Sequence, residues 1–182
     1  MIIFDTETTG LVMPSDVPLN SQPKIIELYA LKVDDDTLEP ITSIDLLIDP
    51  QEQVTDEITR ITGITNDMVR GKGSFASHFK SIQSFWFGDR VTVGHNVNFD
   101  KDMLELDLRR LGKVTTFPWP LGWLCTVELT EHYKGRRMKL IDLHEYLFGE
   151  RFDSAHRAKS DVEATHRCLV EIKKRGDLPE LQ

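Results

Sequence analysis

Cysteine is scarce. The two in 182 residues, Cys125 and Cys168, lie far apart and fit no metal spacing, so two reduced structural thiols are expected and a disulfide framework is excluded. Long apolar runs are lacking too: none approaches the roughly 20 residues of a membrane-spanning helix, which excludes a transmembrane anchor. The first residues carry Asp5 and Glu7 where a secretory signal would have basic residues followed by an apolar stretch, so no signal peptide and a cytoplasmic location are expected. Positive charge is in deficit, with 22 Lys plus Arg against 30 Asp plus Glu and a formal net charge of −8. That excludes the broad basic footprint of a nonspecific duplex binder. Any nucleic-acid contact must be local, and bound divalent cations could supply the missing charge. Repeats, low-complexity tracts and interdomain linkers are absent.

What remains, 40% hydrophobic and 29% charged residues, is the composition of a soluble globular protein, long enough to bury a core as a single domain over residues 1–182. The N-terminal third reads as three strands, MIIFDTE, KIIELYALKV and PITSIDLLID, the acidic residues 34–36 turning the second into the third. Sequential strands suggest an antiparallel meander. The period changes at Thr55, which caps a short helix ended by Gly63. Phe75, Phe79, Ile82 and Trp86 then recur at helical spacing between Ser74 and Gly88, a core-facing stripe. DRVTVGHN is a short strand running into a helix with Phe99, Met103 and Leu106 on one face. FPWPLGWLCTV is a loop leading into a buried strand from Trp123 to Val127. Short helices in VELTEHYKG and KLIDLHEYLFG follow, the second aligning Leu140, Leu143 and Leu147. A last helix spans about Lys159 to Lys174, with Val162, Thr165, Leu169 and Ile172 on one side. Strands first, then alternating helices and strands, imply an α/β fold with a mixed sheet flanked by helices.

Two acids interrupt the first strand. Residues two apart in a strand point to one face, so Asp5 and Glu7 in FDTETTG aim their carboxylates together and repel unless a cation lies between them. A solvated strand end would explain the pair alone. Asp100, in GHNVNFDKDML, and Asp161, in SAHRAKSDVEAT after His156, each sit near a helix start, where the helix dipole or capping is sufficient reason for an acid.

Together, DTETTG, HNVNFD and HRAKSD in this order resemble the DEDDh family of 3′-5′ exonucleases over nearly the whole chain. Within it the pattern is most similar to the proofreading exonuclease subunit of bacterial DNA polymerase III, supported by IIELYALKV and DPQEQVTDEITRITGITNDMV. The resemblance implies a ribonuclease H-like five-stranded sheet, a three-strand antiparallel meander followed by parallel strands. It further implies hydrolysis of terminal phosphodiesters of single-stranded or frayed DNA to nucleoside 5′-monophosphates, in proofreading or repair. Two divalent cations, Mg²⁺ or Mn²⁺, are implied as cofactors, and carboxylate oxygen suits both. By the same resemblance Asp5 bridges both ions, Glu7 and Asp161 bind the one that holds the attacking water, and Asp100 acts from the far side, partly through water. His156 is the implied general base, histidine titrating nearest neutrality.

Matching positions place Thr8, Gly10, Leu11, Ile61 and Phe99 around the terminal nucleotide, Phe99 also fitting a core role. Thr62 stands where the family often has His, and the 11–24 loop is longer than usual for it. Arg136 and Arg137 in YKGRRMK, with Arg157, are candidate phosphate contacts. Three readings stay open: a DNA exonuclease whose partners are single-stranded DNA 3′ ends and a polymerase, an RNA-directed exoribonuclease of the same family, and a catalytically silent module that binds nucleic acid or a polymerase. No membrane partner is expected.

Overall fold

The computed structural model describes residues 1–152 and 156–179. Strands β1 (Ile2–Thr8), β2 (Ile25–Val33) and β3 (Pro40–Leu47) form the meander. They are followed by α1 (Asp56–Thr62), α2 (Asn66–Val69), α3 (Phe75–Trp86), β4 (Val91–Gly94), α4 (Val97–Arg110), β5 (Gly122–Cys125), α5 (Thr126–Leu129), α6 (Glu131–Lys134), α7 (Leu140–Phe148) and α8 (Ala158–Lys174). The sheet order is β3-β2-β1-β4-β5. β1 pairs antiparallel with β2 and parallel with β4, and β5 continues the parallel half. The expected mixed five-stranded sheet is borne out.

Side-chain alternation along β1 sorts two cores onto the two faces of this sheet. Ile2 and Phe4 face the layer made by α3 and α4, where Phe79, Ile82, Trp86, Met103 and Leu104 are buried. Met1 and Ile3 face α8, packing with Tyr29, Val162 and Leu169. The anticipated stripe of α3 is buried throughout, and Phe4 meets Trp86 edge-on at 5.4 Å between ring centroids. An aromatic pair of this kind adds about 1 kcal/mol to the area it buries. α7 lies against α8 through Leu143 and Cys168.

Local signals explain most boundaries. Thr55 accepts a bond from the Ile58 N–H, and Gly63 closes α1 in the left-handed conformation at φ 73°. The expected strand from Trp123 to Val127 stops at Cys125, because its one partner, β4, ends at Gly94 opposite Cys125. Without carbonyls to pair with, the chain turns at once into α5. α2 was not anticipated. It is held by the Asn66 side chain, which bonds both the N–H and the carbonyl of Val54 at 2.8 Å.

The long 11–24 loop is fixed from beneath. Arg110 of α4 donates to the carbonyls of Leu19, Gln22 and Pro23 at 2.6 to 3.0 Å and to Asp107 at 2.6 Å. Asp107 in turn accepts the N–H of Ile25, tying the loop's end to β2. Gln22 folds back on the backbone of Met13 and Pro14.

Candidate active site

β1 and β4 lie side by side and parallel, and the site is built where their C-terminal ends emerge. β1 delivers Asp5 and Glu7 to the face covered by α8. The first turn of α8 brings Asp161 to the same place, and oxygens of these three carboxylates lie within 4.8 Å of one another. A bulge follows Glu7, where β1 loses register with β2 and leaves for the 11–24 loop.

Asp100 approaches from the other face. Alternation turns Thr6 toward α4, and one carboxylate oxygen of Asp100 accepts both the Thr6 N–H at 2.9 Å and its hydroxyl at 2.7 Å. Asp100 thus stands outside the tight trio and is bound to the strand that carries it. Gly94 permits the close approach of α4: a Cβ there would stand 3.0 Å from the Val97 side chain and 3.3 Å from the Phe4 carbonyl.

The electrostatics of this cluster are adverse without a cation. Burial first, then repulsion from Asp100, Asp161, Glu7 and Glu27, raises Asp5 well above the ordinary carboxylate range. Burial and repulsion from Asp161 and Glu27 raise Glu7 to about 8. Asp100 rises to about 7 by burial, opposed by its bonds from Thr6, and Asp161 to about 6, again by burial. The Asp161 Oδ1 is buried with no hydrogen-bond partner, while Oδ2 accepts the His156 N–H at 3.2 Å. Three convergent hard-oxygen donors, one with an unpartnered buried oxygen, fit a divalent cation.

Asp5, Asp161 and His156 line a cavity of about 760 Å³ together with His95, Arg137 and Lys139. His156 is exposed, with φ 72° in the left-handed region. His95, pushed down to about 4 mainly by burial, is neutral: Nε2 donates to the Met138 carbonyl at 3.0 Å and Nδ1 accepts the Thr126 hydroxyl at 2.9 Å. It braces the segment that carries Arg137 over the cavity.

The candidate substrate positions differ in availability. Leu11 is 78% exposed and Ile61 46%, whereas Phe99 is partly buried against the main core, the core role expected of it. Thr8 spends its hydroxyl on the Gly10 carbonyl at 2.7 Å, shaping the turn that leads to Leu11. Thr62 points inward, donating to the Ile58 carbonyl and accepting the Ile64 N–H, so it does not replace a histidine contact. Arg136 is exposed, but Arg137 is the member of the pair on the cavity wall. The Arg157 guanidinium is engaged with Glu27 through Nε, at 3.1 Å to both carboxylate oxygens, and Nη2, at 2.6 Å. The side chain stays 39% exposed.

Glu27, Thr6 and His95 received no role from the sequence, nor did Arg151 and Phe152, which also line the cavity. One of these carried a signal. Glu27 is an acid in a strand otherwise almost wholly buried, the same irregularity that marks Asp5 and Glu7.

Residues 2–169 match the model of an exonuclease family, RNase_T, described as Exonuclease. The chain is 34% identical over 175 residues to the PolC-type DNA polymerase III of Latilactobacillus sakei, and 32% identical over 173 residues to that of Halalkalibacterium halodurans. These matches cover 95% and 92% of this chain but 11% of each relative, so the chain spans about a tenth of the length of the curated relatives it matches. Among solved structures, the nuclease domain of 3′hExo, a DEDDh family member bound to rAMP, superposes with TM-score 0.79 at 21% identity, covering 100% of this chain and 95% of that one. Exonuclease X in complex with 5′ overhanging duplex DNA gives TM-score 0.68 at 22% identity, covering 98% and 93%. At such identities the two structures establish a shared fold.

Proposed function

The chain belongs to the exonuclease family RNase_T, and on that premise we propose that residues 1–182 act as one exonuclease domain. In this reading it hydrolyses terminal phosphodiesters of single-stranded or frayed DNA from the 3′ end, releases nucleoside 5′-monophosphates, and serves proofreading or repair. The observation that carries the reading is the trio Asp5, Glu7 and Asp161, joined within 4.8 Å beside a cavity that also holds His156. DNA is favoured over RNA because the sequence relatives named above are DNA polymerases. The same relatives support a polymerase as partner. Among the described residues no helix is long and apolar enough to cross a membrane.

Asp5, Glu7 and Asp161 would hold two divalent cations, Mg²⁺ or Mn²⁺, with Asp100 contributing from the α4 side. Such cations, when bound, neutralise charge that builds on the phosphodiester and favour deprotonation of water. The chain's own residues do the rest. His156 accepts the proton of the attacking water on its imidazole, the task of a general base. Thr6 holds Asp100 in place through two hydrogen bonds to one oxygen. Thr8, Gly10, Leu11, Ile61 and Phe99 seat the terminal nucleotide, apolar contact with flat bases giving weak sequence preference. Arg137, assisted by Arg136, attracts the backbone of the incoming strand.

The test uses 5′-labelled single-stranded DNA, duplex DNA and RNA of one sequence, each with Mg²⁺, Mn²⁺ or EDTA. A ladder shortening from the 3′ end of single-stranded DNA, abolished by EDTA, is expected. Faster shortening of RNA than of DNA would transfer the site to the exoribonuclease reading. No cleavage under any condition would defeat both in favour of a silent binding module.

A further inference from the structure

Glu27 is 2% exposed and lies directly opposite Glu7 in the register of β1 and β2. A fourth acid beside an acidic trio adds repulsion, so its presence needs a reason. Its contacts supply one. Both carboxylate oxygens receive the Arg157 guanidinium, and Oε2 also accepts the N–H of Ala158 at 2.9 Å, the first residue of α8. These two residues follow His156 directly and precede Asp161 by one turn. The His156 N–H then closes the turn onto Asp161.

We propose that Glu27 and Arg157 are positioning residues that clamp the start of α8 to β2 and so set His156 against the carboxylates of β1. The clamp rests on the exonuclease reading for its catalytic consequence. Its physical logic is independent: a planar guanidinium held by both carboxylate oxygens fixes orientation as well as distance, which a lysine ammonium cannot do. His156 is held in a left-handed backbone conformation, which for a residue other than glycine persists only when the neighbouring structure enforces it. The clamped residues 157 and 158 are that neighbour. Because Glu27 and Glu7 project from paired positions of one strand pair, the clamp and the metal ligands share a rigid base, whereas His156 itself sits outside regular structure.

Arg157→Lys and Glu27→Gln test the clamp with little change of volume. Each is expected to lower kcat on the order of 10- to 100-fold, as misplacement by about an ångström does, while KM for single-stranded DNA changes less than about 3-fold. Placed in a His156→Ala background, either change should cost less than about 3-fold more, because the group being positioned is gone. Amide exchange, followed by mass spectrometry, should accelerate at 156–161 and remain unchanged in the C-terminal half of α8. A raised KM with unchanged kcat would instead make Arg157 a phosphate contact and overturn the proposal. So would losses that multiply fully with His156→Ala, or unchanged exchange at 156–161. Should the wild-type chain cleave nothing, the exonuclease reading fails, and the exchange measurement alone still decides whether the clamp exists.

Discussion

Between pH 5 and 8 the protein stripped of divalent cations is expected to lose stability as the pH rises, opposite to the behaviour of a protein whose acids are salt-bridged. Glu7 is raised from 4.5 to about 8, Asp100 from 3.8 to about 7 and Asp161 from 3.8 to about 6. The same groups titrate near 4 in an unfolded chain. Across this window the native state therefore binds more protons than the unfolded state, and stability falls with pH. The contribution is fully present below about pH 4 and is lost as each folded value is passed. For Glu7 alone, 1.36 kcal/mol per pH unit gives a loss of about 5 kcal/mol. The acids raise one another, so their contributions overlap, and the whole loss is on the order of 5 kcal/mol against a typical domain stability of about 5 to 15. Urea unfolding in EDTA from pH 5 to 8.5 should show this as a fall in midpoint of about 2 M, using about 2 kcal/mol per M. Mg²⁺ at 100 times its Kd should restore about 2.7 kcal/mol, and more at high pH than at low because its ligands must be ionised. Glu7→Gln should flatten the EDTA curve and stabilise the cation-free protein at pH 8. A stability in EDTA that stays level or rises from pH 5 to 8, or a Glu7→Gln curve parallel to wild type, would refute the reasoning.

Other substitutions separate the roles of the site residues. His156→Ala is expected to lower kcat by about 10² to 10⁴, the range for removal of a general base, with Mn²⁺ affinity by calorimetry unchanged. Affinity reduced to the same degree as in Asp5→Ala would refute its role. Alanine at both Arg136 and Arg137 should reduce the slope of log K against log salt by about 0.7 for each phosphate no longer neutralised on single-stranded DNA. The wall position of Arg137 predicts that it alone accounts for most of the change, which the two single variants measure. Arg110→Ala leaves the buried Asp107 without its cation and frees three loop carbonyls. It should cost about 3 to 5 kcal/mol in urea unfolding, and Arg110→Lys should rescue little, since one ammonium cannot reproduce the fork.

How much of this was legible beforehand follows from where each signal resides. The stripe of α3, the caps of α1 and the antiparallel meander depend on neighbours within a few residues, and the structure keeps them all. The end of β5 at Cys125 was not legible, because it depends on where β4 stops, about 30 residues earlier in the chain. The buried face of α4 was read from Phe99, Met103 and Leu106, yet Val97, Leu104 and Leu108 are also buried, since the sheet and the segments 19–21 and 114–116 all pack against it. Arg157 illustrates the same limit: a basic residue beside His156 reads as a free charge until Glu27, 130 positions away, pairs with it.

The sequence by itself determined which atoms can do chemistry. A period of two in β1 aligns Asp5 with Glu7, and the spacing of His156 and Asp161 puts one before a helix and the other inside its first turn. Those relations are local geometry, and no packing arrangement that keeps these elements can change them. Only the tertiary structure decided how the pieces meet: α8 against one face of β1 closes the trio, α4 against the other attaches Asp100 to Thr6, and the pairing of β1 with β2 sets Glu27 opposite Glu7. The physical reason is that a sheet separates its two faces by alternation along each strand but leaves to long-range burial the choice of helix that covers each face.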